Sequence, residues 1–413
     1  MVMKKNWIKL RVNKSKSYLG NIYKISNSVY NSIFEKNVFL TSDQKCKEFM
    51  SCSYLGLHND KRIIKAIQNS KELIDQNLLF SSARTRMTSA IEERTNNKLQ
   101  QIFNPYHIVQ FQNVHTIHLG VLPLLLSGEF PMVKPRTNGF YCIIDKFSHQ
   151  SIKVMIGIIS QFCDVNIVDL EDWDTVLKIS HKITDEDKTL FIITDSLGSM
   201  GKVYDVKKLV NLIEENEGYI YFDDAHGMSI LGKHGCGYVL ATLENKLNPR
   251  VFISTGLTKA FGSHGGVILT PYKEQIDFIK TYATTYTFSG PISNPNLIAT
   301  DVCCDIHLSS EIYALQKKLY DNISFFDKNF KHTDKNICFH SILPFRPILL
   351  GSEKEVQDCL SFLKSKGILV TGAVYPTVEK NKSIIRIALS AIHIEQDILS
   401  LVESLHSFLE QYE

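Results

Sequence analysis

The sequence predicts an α/β protein whose β-sheet is mostly parallel and covered by helices on both faces. The first observation is a series of short β-rich segments, at residues 107–111, 141–144, 164–168, 189–194, 219–222, 251–254 and 267–270. The second is that most of these segments are separated by stretches long enough for a helix. In residues 206–217, for example, apolar residues recur at helical spacing. Alternating strands and helices of this kind form parallel sheets buried on both faces.

Two regions depart from this simple alternation. Only a Gly-rich turn containing a lysine separates residues 251–254 from 267–270, which is too short for a crossover helix, so we expect the last strand to run antiparallel. From about residue 291 a long helical stretch is followed by strand candidates at 339–350, 368–374 and 384–389. We therefore predict an N-terminal segment at 1–50, a large domain at 51–290 and a small C-terminal α/β domain at 291–413.

Composition restricts the class of protein. With 413 residues, 44% hydrophobic and 22% charged, the chain is globular, and a net charge of +3 excludes a nucleic-acid binder that is basic throughout. Before residue 35 the charged residues are all basic, and we interpret them as a solvated arm. The longest apolar run, 121–126, is far too short to cross a bilayer. No apolar segment with a small-residue cleavage site follows the basic residues, so we expect no secretory signal. Nine cysteines without a C-x-x-C pair predict free thiols in the cytoplasm.

Chemically versatile side chains follow three of the predicted strands. Asp223 and His226 come after 219–222, His149 comes after 141–144, and Lys259 comes after 251–254. In open α/β sheets ligands bind outside the carboxyl ends of the strands. We therefore expect these four side chains to meet in one crevice.

A lysine, a carboxylate and two histidines suit an aldehyde cofactor held as a Schiff base on the lysine. The carboxylate would pair with a pyridinium nitrogen, so pyridoxal 5'-phosphate is the candidate cofactor. Hydrolysis at a metal would require His and carboxylate ligands at i, i+3 or i, i+4 spacing, and Asp223 with His226 supplies only half of such a set. A serine hydrolase would require a G-x-S-x-G turn, which the sequence lacks.

Longer motifs around these residues resemble the α-oxoamine synthases. These pyridoxal-phosphate acyltransferases include 8-amino-7-oxononanoate synthase, serine palmitoyltransferase, 2-amino-3-ketobutyrate CoA ligase and the autoinducer synthases. The most specific stretches are FDDAHGMSILGKHGCG, from residue 222, and TKAFGSHGG, from residue 258. Shorter matches are SYLGL at 53–57, IIDKFSHQSI at 143–152, DSLGSMG at 195–201, FSGP at 288–291 and IIRIALS at 384–390. The resemblance covers about residues 45–405.

The resemblance implies a role for each matching residue near the reacting atoms. Lys259 would form the Schiff base and later remove the Cα proton of the substrate. Asp223 would pair with the pyridine nitrogen, and His226 would hydrogen-bond the phenolic oxygen. His149 would stack on the ring face. The fold implied is that of the fold type I pyridoxal-phosphate transferases, with a seven-stranded sheet and a smaller C-terminal domain.

The resemblance also implies contacts farther from the ring. Cofactor contacts, mainly to the phosphate, would come from Asn113, Val114, His115, Ser199 and Thr258. Ser289 would reach the cofactor of a neighbouring subunit, which implies a homodimer. Arg386 would hold the substrate carboxylate, for which a guanidinium fork is well suited, and Ser53 would also contact the substrate.

The reaction implied is a decarboxylative condensation of an amino acid with an acyl thioester, carried by coenzyme A or by an acyl carrier protein. Several positions depart from the family pattern, including Gly256, Ser229, Gly290 and the Asn113–His115 turn. These departures surround the expected cofactor and substrate, so we expect a specificity unlike that of a housekeeping member, similar to the autoinducer synthases. Two alternatives stay open: an aminotransferase or other pyridoxal-phosphate enzyme of the same fold, and a non-catalytic supporting subunit.

Overall fold

The computed structural model describes residues 9, 12–13, 28–71, 73, 81–331, 340–375 and 377–411. Apart from Lys9, the basic N-terminal residues lie outside the described residues, as does residue 339, the first residue of the strand predicted at 339–350. The chain divides into two compact units, which we call the large unit (Leu57–Ala314) and the small unit (Met1–Gly56 with Leu315–Glu413).

The strands of the described residues are β1 (Tyr30–Phe34), β2 (Asn37–Leu40), β3 (Lys45–Glu48), β4 (His107–Phe111), β5 (Phe140–Asp145), β6 (Asp164–Val168), β7 (Thr189–Asp195), β8 (Tyr219–Asp223), β9 (Val251–Gly256), β10 (Gly266–Thr270), β11 (Phe345–Gly351), β12 (Ile368–Leu369), β13 (Thr371–Ala373) and β14 (Ser383–Ala388). The helices are α1 (Lys61–Gln68), α2 (Ala90–Ile102), α3 (Val114–Leu125), α4 (Gln150–Lys153), α5 (Ile156–Ile159), α6 (Trp173–Asp185), α7 (Val206–Glu215), α8 (Tyr238–Thr242), α9 (Glu274–Tyr282), α10 (Thr284–Phe288), α11 (Asn294–Leu308), α12 (Glu311–Asn329), α13 (Glu353–Ser365) and α14 (Glu395–Leu409).

The large unit is built on a seven-stranded sheet with the order β4-β10-β9-β8-β7-β5-β6. Strands β5 to β9 pair in parallel, whereas β10 pairs antiparallel with both β9 and β4. All seven predicted strands are confirmed, as is the antiparallel direction of the last one. The physical reason is the short link after β9, which leaves no room for the crossover that a parallel neighbour needs.

Helices cover both faces of this sheet. Successive residues of the central strands belong to different hydrophobic cores: Ile143 and Ile192 to one, Ile144 and Ile193 to the other. This alternation follows from the period of two in a strand, which points neighbouring side chains to opposite faces. The predicted helix within 206–217 is α7, which begins after Asp205 as its N-cap. The predicted α/β fold class is confirmed.

The small unit contains two sheets, with the orders β1-β2-β3-β12 and β11-β14-β13. The unit joins the two ends of the chain, because β3 pairs in parallel with β12. The sequence placed a boundary at 290, whereas the compact units divide at 314. The difference arises because α11 packs against α1 and α2 of the large unit. Within the described part of the chain, every helix is too short or too polar to span a membrane.

One buried ion pair joins the N-terminal strands of the small unit. Lys36 and Glu48 are 1% and 3% exposed, and Lys36 Nζ lies 2.5 Å from Glu48 Oε1. Burial alone would raise the pKa of Glu48. The Lys36 ammonium and the hydrogen bonds from Ser51 lower it by more than burial raises it, so the pKa lies well below its ordinary value. The folded-state pKa is thus lower than the unfolded one. The contribution of this carboxylate to stability is complete above about pH 4.5 and is lost as the pH falls toward 2.

We expect Lys36→Ala to lower the free energy of unfolding by roughly 3–5 kcal/mol, because it leaves Glu48 as an unpaired buried charge. The measurement is urea unfolding at pH 7. The double variant Lys36→Met/Glu48→Leu removes both charges and should recover most of the loss. The exposed pair Lys317 and Asp321 provides the control, and Lys317→Ala should change stability by less than about 0.5 kcal/mol. A loss of stability as small as that of the control would contradict the conclusion that Lys36 compensates the buried charge of Glu48.

Candidate active site at the carboxyl ends of the central strands

Asp223 ends β8 and lies in register with Asp195, which ends β7. Both carboxylates are buried, and Asp223 Oδ1 accepts a hydrogen bond from the Ala225 backbone N–H at 3.1 Å. Burial, followed by the nearby charge of Asp223, raises the pKa of Asp195 well above its ordinary value. Burial therefore favours the neutral, protonated form of Asp195.

His118 contacts Asp223 from helix α3. Its Nε2 lies 3.4 Å from Asp223 Oδ2 and 3.4 Å from Ser254 Oγ. The ring is completely buried, and burial lowers the pKa of His118 to about 4 although the charge of Asp223 opposes the shift. His118 is therefore neutral at pH 7 and can donate a hydrogen bond without adding charge. The sequence analysis missed this residue because it lies within a helix; its i, i+3 spacing from His115 was the available signal.

His149 is the N-cap of α4 and lies beside Asp195. Its backbone N–H donates to Asp195 Oδ2 at 2.9 Å, and its Nδ1 lies 2.7 Å from Ser151 Oγ. Burial lowers the pKa of His149; Asp223 opposes this shift, and Lys259 and His115 add to it. Since Asp195 lies in register with Asp223, and β8 pairs with β9, His149 lies at the same edge of the sheet as Asp223 and the strand that leads to Lys259.

Lys259 follows β9 in the turn that leads to β10. Lys259 is half-buried, and its neighbour Thr258 is exposed. The turn returns through Gly262, where φ is +88° and a Cβ atom would lie 2.4 Å from Leu57 Cβ. Only glycine is compatible with that backbone conformation and that contact. The Gly-rich turn thus fixes the backbone that carries the lysine at the edge of the sheet.

The first turn of α3 contains the predicted phosphate contacts Asn113, Val114 and His115. Asn113 is the N-cap and forms a capping box with Thr116, while Asn113 and His115 are exposed. At Gly266 of β10 a Cβ atom would lie 2.8 Å from the Val114 backbone N, so only glycine allows strand and helix to approach this closely. The N–H groups at a helix N-terminus bind anions, which suits the phosphate of the cofactor.

His226 lies on a loop that is fixed by a second buried carboxyl group, Asp224. Ser196 Oγ donates to Asp224 Oδ1, and the Val239 N–H donates to Oδ2 at 3.3 Å. Burial raises the pKa of Asp224 to about 7. A Cβ atom at Gly237 would lie 2.3 Å from Asp224 Oδ2, so the glycine makes room for the carboxyl group. Asp224 therefore anchors the loop that carries His226.

The same loop contains a departure from the family pattern. Ser229 replaces a glycine and adopts a φ of +70°, in the left-handed region that L-residues rarely occupy. His307 Nε2 lies 2.8 Å from Ser229 Oγ, and the Ser229 N–H donates to Gly235 O at 2.9 Å. These contacts hold the unfavourable backbone conformation in place.

Ser199 and Ser289 lie at the edges of the candidate site. Ser199 is half-buried in a loop closed by the bridge between Leu197 and Val203. Ser289 is exposed and ends α10, directly after Phe288, whose side chain is 81% exposed. Both serines belong to the large unit.

Arg386 and Ser53 belong to the small unit. Arg386 is 8% exposed; its Nη2 donates to Tyr54 Oη at 2.9 Å, and its guanidinium carbon lies 4.1 Å from the centroid of the Phe345 ring. Arg386 Nε is buried without a partner among the described residues. Ser53 is buried, and its backbone oxygen accepts a hydrogen bond from Ser390 Oγ at 2.9 Å. The Arg386 guanidinium is thus oriented by aromatic residues and retains a free donor.

The large-unit residues fit pyridoxal 5'-phosphate. Asp223 offers a buried carboxylate for a pyridinium nitrogen, and Lys259 offers an amine for the aldehyde. The N-terminus of α3 offers unpaired backbone donors for the phosphate. By contrast, the described residues contain no group of three or more His, Cys, Asp or Glu that could hold a metal ion.

Comparisons with known proteins agree with this chemistry. The model of the family "Aminotransferase class I and II" matches residues 54–405. An 8-amino-7-oxononanoate synthase of Thermoanaerobacter pseudethanolicus is 30% identical over 358 residues, which is 84% of each chain. A serine palmitoyltransferase structure from Sphingomonas wittichii has a TM-score of 0.79 at 17% identity and covers 97% of this chain and 96% of its own.

A further solved structure has a similar fold. An 8-amino-7-oxononanoate synthase from Francisella tularensis has a TM-score of 0.70 at 18% identity, covering 89% of this chain and 98% of its own. At these identities the solved structures support the fold. The family match and the 30% identical relative establish the membership that the motifs predicted. The chain belongs to the aminotransferase class I and II family and, within it, to the pyridoxal-phosphate-dependent α-oxoamine synthases.

Proposed function

We propose that this chain condenses an amino acid with an acyl thioester and releases carbon dioxide and the free thiol, with pyridoxal 5'-phosphate as the cofactor. The observation that carries the proposal is geometric: Asp223 ends β8, His149 donates its backbone N–H to Asp195 in register with Asp223, and Lys259 follows the neighbouring strand β9. The acyltransferase is favoured over the aminotransferase because the curated relatives are 8-amino-7-oxononanoate synthases. The presence of Lys259 opposes a purely supporting role.

The residues around the ring divide the chemical work. When bound, the cofactor delocalises the electron pair left at the substrate Cα. Asp223 keeps the pyridine nitrogen protonated, and His118 contacts the Asp223 carboxylate. Lys259 Nζ accepts the Cα proton of the amino acid. Burial lowers the pKa of His149 and so favours its neutral form, and the ring offers a flat surface for stacking.

Other parts of the proposal concern binding. His226 donates to the phenolic oxygen of the cofactor. The phosphate is held by the first turn of α3 (Asn113, Val114 and His115) together with the side chains of Thr258 and Ser199. Arg386 holds the carboxylate of the amino acid. Ser53, the first residue of the sequence motif SYLGL, also contacts the substrate. The buried, partnerless Nε of Arg386 supports this role, because a carboxylate would satisfy it.

The enzyme is further proposed to be a cytoplasmic homodimer in which Ser289 of one subunit reaches the cofactor of the other. The 81% exposure of the Phe288 side chain supports a subunit interface at that end of α10. The eight cysteines of the described residues are free thiols, which fits a reducing compartment. Light scattering of the purified protein tests the dimer, which requires a mass of twice 47.1 kDa.

The experiment that tests the function measures thiol release. The cofactor-loaded protein is incubated with single amino acids and with acyl-CoA thioesters of increasing chain length, or the corresponding acyl carrier proteins. The expected result is release of thiol and carbon dioxide in equal amounts for at least one pair. Formation of pyridoxamine phosphate without thiol release would identify an aminotransferase instead.

Replacement of Arg386 tests the substrate carboxylate. We expect Arg386→Lys, which keeps the charge but loses the fork, to raise KM for the amino acid by about tenfold or more. KM for the acyl thioester should change less than twofold. Lys382→Ala, an exposed position of the same unit, is the control and should leave both constants unchanged. A rise confined to the acyl thioester would contradict the role of Arg386.

A further inference from the structure

Helix α11 contacts two segments that carry residues proposed to bind the cofactor ring. We call them the His226 loop (residues 224–237) and the Lys259 turn (residues 257–265); both belong to the large unit, as does α11. His307 lies in the last turn of α11, and its side chain is completely buried. Because one helix contacts both segments, the position of one relative to the other depends on the contacts of that helix.

The first contact of His307 is with the His226 loop. Burial lowers the pKa of His307 to about 4, so the ring is neutral at pH 7. Its Nδ1–H donates to Cys303 O at 2.7 Å, which makes Nε2 an acceptor, and Ser229 Oγ donates to Nε2 at 2.8 Å. A Cβ atom at Gly235 would lie 2.9 Å from His307 Cδ2, so the loop packs this closely on the ring because residue 235 is a glycine.

The second contact of His307 is with the Lys259 turn. Phe261, two residues after Lys259, is completely buried, and its ring stacks on the His307 ring with the centroids 4.4 Å apart. Farther along the turn, Ser263 Oγ lies 2.7 Å from Thr300 Oγ1, on the same helix. Helix α11 therefore contacts the turn at two points, which fixes the direction of its backbone as well as its distance.

Ser229 adopts an unfavourable backbone conformation where it makes its contact. Its φ is +70°, and a non-glycine residue in this region costs on the order of 1–3 kcal/mol. Glycine, the residue of the family pattern at this position, would avoid the cost but has no hydroxyl group to donate to His307. The hydrogen bond to His307 therefore accounts for a serine at a position that favours glycine.

The relative position of the two segments matters because of the shape of the cofactor. The aldehyde and the phenolic oxygen of pyridoxal 5'-phosphate lie on neighbouring ring carbons, so Lys259 and His226 can bind them together only at a fixed separation. We propose that Ser229 and His307 form a positioning pair that sets this separation by joining the His226 loop to the Lys259 turn. The consequence for the cofactor rests on the proposed function, whereas the contacts belong to the protein alone.

Ser229→Ala and His307→Phe test the pair, because each removes one partner of the hydrogen bond and His307→Phe keeps a ring to stack on Phe261. Cofactor is mixed with the cofactor-free full chain, borohydride is added at successive times, and mass spectrometry measures the adduct on the Lys259 peptide. We expect each variant to slow attachment by about fivefold or more, because a displaced amine meets the aldehyde less often in a reactive orientation. The visible absorption spectrum of the bound cofactor should also shift.

The double variant Ser229→Ala/His307→Phe tests whether the two residues act as a pair. It removes both partners, so attachment should be no slower than in the slower single variant. Losses that multiply in the double variant would show that the residues act independently and would overturn the pair.

Ile213→Val is the control for a general loss of stability. Ile213 is completely buried in α7, and the loss of one methylene group should cost about 0.5–1.5 kcal/mol while attachment stays within twofold. Unchanged attachment and an unchanged spectrum in both Ser229→Ala and His307→Phe, with only the melting temperature lowered, would overturn the proposal and leave the contact a purely structural one.

Hydrogen exchange separates this inference from the proposed function. Absence of any Lys259 adduct in the unaltered protein would refute the cofactor chemistry, not the contacts. Amide exchange in the full chain then decides on the pair without a cofactor: Ser229→Ala and His307→Phe should each speed exchange in the His226 loop and the Lys259 turn together. Faster exchange confined to the segment that carries the substitution would overturn the link between the two segments.

Discussion

Lys259→Ala is expected to lower turnover by at least about 10⁴-fold, because it removes the covalent link to the cofactor and the base that takes the Cα proton in one change. Thiol release under single-turnover and steady-state conditions measures the loss. The circular dichroism spectrum and the melting temperature should stay close to those of the unaltered protein, because Lys259 is only half-buried in a turn whose shape depends on its glycines.

A chemical readout separates this role from a structural one. Borohydride treatment of the unaltered protein should attach the cofactor to the peptide that contains Lys259, and mass spectrometry should find no such adduct in Lys259→Ala. Lys273→Ala, at an exposed lysine of the same unit, should keep both activity and adduct. Turnover retained by Lys259→Ala, or an adduct on another lysine, would remove the proposed role.

Asp223→Asn is expected to lower kcat by about 10³-fold while changing cofactor affinity far less. The amide has nearly the shape of the carboxylate and its oxygen can still accept from the Ala225 N–H, but it cannot stabilise a protonated pyridine nitrogen. His118, whose pKa burial lowers to about 4, is neutral at pH 7 and cannot replace the lost charge. Kinetics and cofactor equilibrium dialysis measure the two effects.

The control for Asp223 is Asp277→Asn on the exposed side of α9, which should leave kcat within twofold. Asp223→Glu retains the charge at a displaced position and should recover part of the rate. An equal loss of rate in Asp223→Asn and Asp223→Glu would indicate that shape matters more than charge. A loss of cofactor affinity as large as the loss of kcat would contradict the electrostatic role.

Local pattern predicted much of the fold. The seven strands of the large unit were visible because buried strands are short, β-rich and separated by amphipathic stretches such as 206–217. The antiparallel direction of β10 followed from the length of the turn that contains Lys259, a property of the chain alone. Asp223, His149 and Lys259 could be selected because strand ends are recognisable in the sequence and share one edge of the sheet.

Contacts between distant segments had no such local signal. The pairing of β3 with β12 brings the two ends of the chain into one unit, and hydrophobic pattern does not specify which strands pair. His118 and Asp195 acquire their positions next to Asp223 from packing between a helix and neighbouring strands.

The sequence by itself predicted the strands, the polar residues that follow their carboxyl ends and the family, because each depends on residues close together in the chain. Only the tertiary structure decided the strand order, the division into units and the burial that shifts the pKa values of Asp195 and His118. The reason is that burial and the approach of charges arise between segments far apart in sequence, and these two effects set both the pKa values and the cost of unpaired polar atoms.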